Sequence, residues 1–214
     1  MRTLKILFRT HPFLILFNLA YVLGFGGYYA FSQNYEFLWY VLVLVFFLVL
    51  IGVTLEKSRF TPVILWMLSL WGLLHMAGGG VVVNGDVLYT LVLVPLAHVG
   101  DTVILKYDQV VHFYGFFVST WVMYHLLAPH LKEKAGTFMP FFVSSLAGAG
   151  LGALNEIVEF AAVVSVPETG VGGYYNTALD LVFNMFGALA AAWVLFIRKK
   201  RECPPETSTQ NKVS

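Results

Sequence analysis

Six long apolar runs decide most of what this chain of 214 residues is able to fold into. They occupy 13–31, 38–55, 61–78, 108–128, 138–164 and 177–197. A helix needs about 20 such residues to cross a bilayer. Lipid offers no partner to a free N–H or C=O, so only helices or a closed barrel can span it. The runs are continuous and do not alternate with period two, which selects helices. The expected fold is all-α: a polytopic bundle of six transmembrane helices. Composition agrees. With 58% hydrophobic and 12% charged residues, there is too little polar surface for a soluble domain of this size. The same apolar content excludes a disordered chain. A net charge of +1 gives no basic excess for nucleic acid, and one cysteine, Cys203, cannot staple a secreted scaffold.

Lysine and arginine set the expected orientation. Arg2, Lys5 and Arg9 precede the first run, and Lys57 and Arg59 follow the second. Lys132 and Lys134 follow the fourth; Arg198, Lys199, Lys200, Arg201 and Lys212 follow the sixth. Six crossings put all of these on one side and leave only Lys106 opposite. The positive-inside rule then places both termini in the cytoplasm, in a prokaryotic plasma membrane. A seventh crossing would carry Arg198 and its neighbours outside. The first run is too long for a signal-peptide core and reads as an uncleaved anchor. Residues 1–200 form a single membrane domain. The stretch 201–214, with Pro204, Pro205 and Ser, Thr, Gln and Asn, reads as a disordered cytoplasmic tail, with Cys203 a bystander on its reducing side.

The segment 79–107 does not fit a span. It is apolar but carries Asn84, Gly85, Asp86, Pro95, His98 and Asp101. It reads as an outer loop dipping towards the membrane, with a short amphipathic piece at 87–94. Irregular backbone at that depth lies against protein or a water-filled cavity. Both a lid over something and a plain interfacial loop remain open from the sequence.

Ionisable groups inside a membrane are costly and normally face the bundle interior. Here four spans carry them, all at their outer ends: His75 on the third, Asp108 and His112 on the fourth, Asn155, Glu156 and Glu159 on the fifth, and Asn176, Asp180 and Asn184 on the sixth. Residues three or four apart share a helix face. Asp108, His112, Gly115 and Ser119 thus form one stripe; Ser144, Gly148, Gly152 and Glu156 form another. Asp180, Asn184, Gly187 or Ala188, and Ala191 form a third. On the third span, Ser69, Gly72 and His75 or Met76 line up. Small residues mark where helices approach closely in lipid. Each polar group therefore tops a packing seam. The inference is a core of spans three to six, about 61–197, with a polar pocket opening outward.

Four carboxylates and two imidazoles in a semi-dry pocket need shared protons or a cation. The Asp108–His112 and Glu156–Glu159 spacings each present two ligands on one face, as metal sites in helical bundles do. If a divalent metal binds, His75, His112, Glu156 and Asp180 are its expected ligands, and zinc suits mixed imidazole and carboxylate. Glu156, Asp108, His112 and Asp180 are the expected catalytic groups, with Glu159, Asn176 and Asn184 as further pocket residues. A Glu or Asp would act as general base, and the metal would polarise the substrate or activate water. That describes a membrane enzyme acting on a lipid or cell-envelope intermediate, its partner being the bilayer. The alternatives are a non-enzymatic protein that binds an envelope component or partner, its polar cluster a structural hydrogen-bond network, and a transporter. A transporter usually shows an internal repeat, and the two halves show none.

Other polar residues read more simply. His98 and Asp101 are solvated loop groups, His11 and His130 interfacial, and His125 a packing residue near the inner end of the fourth span. Tyr174 and Tyr175 are belt or pocket wall. Gly170, Gly172 and Gly173 make an outer turn rather than a phosphate loop.

Four short motifs resemble those of known membrane families. Tyr107-Asp108-Gln109-Val110-Val111-His112-Phe113 resembles the YDxxxHF motif of YjdF-type bacterial inner-membrane proteins. Leu74-His75 with Gly78-Gly79 is similar to that family's histidine before a Gly-rich turn. Asn155-Glu156-Ile157-Val158-Glu159-Phe160 is similar to its paired-glutamate motif. Asn176 to Asp180, then Asn184 and Gly187, is similar to its last helix. The same order more distantly resembles VanZ-like proteins. The resemblance runs from about residue 70 to 192. It implies a cell-envelope setting and no defined reaction.

Overall fold

The computed structural model describes residues 11–100, 102–131, 138–165 and 172–202. Six helices are long and apolar enough to cross a membrane. They are α1 (Pro12–Phe31), α2 (Tyr35–Ser58), α3 (Pro62–Gly80), α4 (Tyr107–Leu127), α5 (Met139–Ser165) and α6 (Tyr174–Glu202). Each matches one apolar run. Their ends are set by local chemistry that hydropathy does not report. Asn34 caps α2, its side chain accepting from the Phe37 N–H at 3.1 Å, so the helix starts ahead of the apolar run and takes in Glu36. Arg59 stops α2 in the left-handed region, φ 50°. Thr61 caps α3, whose first residue, Pro62, lacks the N–H that would be orphaned there. α6 runs on through its basic cluster to Glu202, because charge ends a membrane span but not a helix. Arg201 and Glu202 are thus helical, and the expected tail boundary at 200 falls inside α6. The remainder of that tail with Cys203 and Lys212, and also Arg2, Lys5, Arg9, Asp101, Lys132, Lys134 and Gly170, lie outside the described residues.

The tightest contacts join α4, α5 and α6, and glycines make them so. A Cβ on Gly187 would run into the Phe113 carbonyl of α4, one on Gly148 into Thr120 of α4, and one on Gly152 into Asn184 of α6. The Gly148/Gly152 pair therefore faces two different helices, one turn apart. α3 packs on α4 with Trp71 laid over Gly115. An aromatic cluster of Tyr21, Tyr29, Phe37, Tyr40 and Met76, joined by Ala162, ties α1, α2 and α3 to the end of α5. The Tyr29 hydroxyl donates to the Met76 carbonyl.

The loop between α3 and α4 is built as two small hairpins. β1 (Val82–Val83) pairs with β2 (Asp86–Val87), and β3 (His98–Val99) with β4 (Thr102–Val103). Asn84 and Gly85 both take positive φ, as a two-residue hairpin turn demands. The expected amphipathic piece at 87–94 is not a helix beyond one 3-10 turn, Leu88–Thr90. The Asn-Gly turn pulls Val87 into a ladder, and the chain beyond Leu91 is held extended by bridging Val92 to Lys106.

Candidate functional site

The start of α2, the end of α3, the start of α4, the end of α5 and the start of α6 meet at one end of the bundle. They enclose a cavity of about 260 Å³. Its walls include His75, Lys106, Asp108, His112, Glu159 and Asn176. The alternating direction of the helices brings these residues to one level, as the sorting of polar residues in the sequence requires.

His112 is the hub. It is 7% exposed and belongs to α4, whose first turn is fixed by Gln109. The Gln109 side-chain oxygen accepts from the Leu105 and Lys106 N–H groups at 2.7 and 3.1 Å. Leu105 there holds φ 75°, a strained position for a non-glycine residue at the entry to the site helix. His112 Nε2 lies 3.5 Å from Asp108 Oδ1 and 3.8 Å from Glu159 Oε1. Nδ1 lies 3.6 Å from Glu156 Oε1 and 2.9 Å from Asn184 Oδ1. Asn184 turns its amide nitrogen to Glu156 Oε1 at 3.3 Å, so its oxygen faces the imidazole. Nδ1 must then carry a proton, and Nε2 is the nitrogen that faces Asp108 and Glu159.

Each carboxylate is held by an asparagine amide. Asn155 donates to Glu159 at 2.7 Å. Asn176 donates to Asp180 at 2.6 Å and to Asp108 at 3.3 Å, and its own oxygen accepts from Lys106 Nζ at 2.5 Å. Asp180 is 1% exposed, yet its Oδ1 has no hydrogen-bond partner. Two groups place one ligand atom per residue within 4.8 Å of each other: Asp108, His112 and Asp180; and His112, Glu156 and Glu159.

Asp108, His112, Glu156, Glu159, Asn176, Asp180 and Asn184 are thus brought together. Among the described residues, His75 lines the same cavity but belongs to neither group. Its Nδ1 is 2.5 Å from the Tyr89 hydroxyl, which also lies 3.0 Å from the His75 carbonyl oxygen. Glu159, which the i+3 step puts at the edge of its seam, reaches the cavity with Asp108 and His112. Glu156 and Asp180 sit behind them. His125 is remote, with Nε2 2.9 Å from the Ser58 carbonyl oxygen.

Several wall residues are not evident from the sequence. Glu36, Phe37 and Tyr40 come from α2, and Tyr89 from the loop. The α2 residues had a signal: Glu36 opens the second span at the same end as the acids of the pocket, and Tyr40 lies one turn on. Tyr89 had none, since only the hairpin aims it. It packs where Gly78 leaves room for its ring. Burial, then Asp108 and Glu159, push its hydroxyl well above the usual tyrosine range, so it stays a donor. With Val87, Thr90 and Thr102 it makes the loop one wall of the cavity.

Residues 11–201 match a family described as predicted membrane protein, DUF2238. The chain belongs to that family. A Thermotoga maritima protein named only as uncharacterized is 32% identical over 100 residues, covering 45% of this chain and 50% of the relative. The chain therefore spans about half the length of that relative. No solved structure matches it.

Proposed function

We propose that this multi-pass membrane protein holds one divalent metal ion, zinc, in the Asp/His/Glu cluster, and acts there as a metal-dependent enzyme on a lipid or cell-envelope intermediate. One observation carries the reading: Asp180 Oδ1, an almost fully enclosed carboxylate oxygen without a partner, beside His112 and Asp108. An unsatisfied buried charged acceptor costs about 1–3 kcal/mol or more. A cation satisfies it. Zinc ligands at about 2.0–2.2 Å stand roughly 3.3–3.6 Å apart in a tetrahedron, and the 3.5 Å between His112 Nε2 and Asp108 Oδ1 is of that size. The donor set of imidazole and carboxylates fits the ion.

His112 Nε2, Asp108 and Asp180 are the residues that would hold it, with Glu159 beside His112 and Glu156 tied to His112 through Asn184. A divalent ion held there supplies Lewis acidity towards a substrate oxygen. Glu159 reaches the cavity outside that ligand group, so its carboxylate would take a proton from the attacking nucleophile. Asn184 orients the His112 ring, so that Nε2 is the nitrogen that would face the ion. The loop bearing Tyr89 forms one wall of the cavity. The four ordered motifs further support kinship with YjdF-type and, more distantly, VanZ-like proteins. The basic-residue pattern supports cytoplasmic termini in a plasma membrane, with the cavity facing outward.

The three asparagine amides would serve equally in a network that only joins helices, at about 0.6 kcal/mol per bond in lipid. Elemental analysis separates the two. Wild type should carry close to one zinc per chain, and His112→Ala and Glu156→Gln much less. Equal, substoichiometric metal in all three would leave the hydrogen-bonded network as the account.

A further inference from the structure

The wall opposite the metal cluster has a chemistry of its own. Glu36, Phe37 and Tyr40, from the first turns of α2, line the cavity together with Tyr89 of the loop. The Phe37 and Tyr40 ring centroids lie 5.4 Å apart, and Phe37 and Tyr89 6.0 Å apart and stacked. The Tyr40 hydroxyl is buried without a hydrogen-bond partner, on a residue only 6% exposed.

We propose that the Glu36–Phe37–Tyr40–Tyr89 wall binds a primary organic ammonium group, the charged part of the ligand that the cavity takes. This deepens the reading of the cavity as a substrate chamber and rests on it. Charge gives the sign. Glu36, Asp108 and Glu159 line the chamber, together with Lys106. Among the described wall residues carboxylates outnumber lysine and arginine, and a cavity lined mainly by one sign of charge concentrates the opposite one. Rings give the class, because aromatic faces beside a carboxylate favour an organic cation over a hydrated inorganic one. The Tyr40 oxygen narrows it further. A buried hydroxyl without a partner asks for one, and a primary ammonium brings N–H groups that a quaternary one lacks.

The test uses the full chain in detergent, loaded with zinc, titrated with ethanolamine and separately with tetramethylammonium by calorimetry. Ethanolamine should bind saturably. Tyr40→Phe, which keeps the ring and removes only the unpartnered oxygen, should weaken ethanolamine about tenfold or more, as a hydrogen bond to a charged group does. The same substitution should leave tetramethylammonium unchanged. Glu36→Gln should weaken both. Equal ethanolamine affinity in wild type and Tyr40→Phe, or no ethanolamine binding by the zinc-loaded protein, overturns the proposal. Zinc content, measured on the same samples, reads the metal proposal separately. Nanodiscs give the source: competition with ethanolamine by phosphatidylethanolamine but not phosphatidylglycerol marks a lipid headgroup, and its absence marks a soluble amine.

Discussion

Gly187→Ala is the substitution whose effect follows most directly from the packing. A Cβ there would lie 2.9 Å from the Phe113 carbonyl carbon and 3.0 Å from the Phe117 nitrogen, and nearer still to the Phe113 oxygen. All three atoms are backbone of α4, so no side chain can swing away. The helices must part by about 1 Å. Overpacking of this kind costs about 2–3 kcal/mol, or roughly 4–12 °C in melting temperature for a chain this long. The site should feel it too. Asn184 sits one turn away on the same face of α6, and its 2.9 Å bond to His112 would stretch beyond hydrogen-bonding reach. The assay is thermal unfolding in detergent, with zinc affinity on the same samples. Gly150→Ala is the control, since nothing lies within 4 Å of its Cβ. It should melt at or above wild type, because alanine is about 0.5–1 kcal/mol better in a helix. A Gly187→Ala protein that melts with the control and binds zinc like wild type would refute the reasoning.

Asn184→Leu removes the amide that orients His112 and should weaken zinc binding roughly 10–100-fold while the helices stay assembled, as loss of a group that orients a metal-binding histidine does elsewhere. An unchanged zinc titration would show that the tautomer is set otherwise. In a Cys203→Ser background, Gly173→Cys should label with a membrane-impermeant maleimide in intact cells. Labelling only after the membrane is breached would reverse the orientation.

Apolar run length made the six helices legible, and their alternating direction made the convergence of Asp108, His112, Glu156, Glu159 and Asp180 legible. Both are one-dimensional signals with a fixed spatial meaning in a bilayer. What escaped depended on placement along other coordinates. Glu36 fell outside the apolar run because a polar cap at Asn34, not hydropathy, starts α2. The depth of Glu159 relative to Glu156 depends on how α5 rotates about its glycine seam, and a half-turn stripe cannot resolve that. His75 fell on the right wall, but its engagement by Tyr89 depends on the Asn84-Gly85 hairpin that aims the loop. Periodicity arguments look for long helices and strands and pass over strands of two residues.

The central claim is that the carboxylate cluster around His112 coordinates a metal. X-ray absorption at the zinc edge on protein purified with native metal tests it most directly. The account predicts a low-coordinate site with one imidazole and the remaining ligands oxygen at about 2.0–2.2 Å. The imidazole signature should vanish in His112→Ala and persist in His75→Ala. A spectrum without imidazole scattering, or one that loses it only in His75→Ala, would contradict the claim.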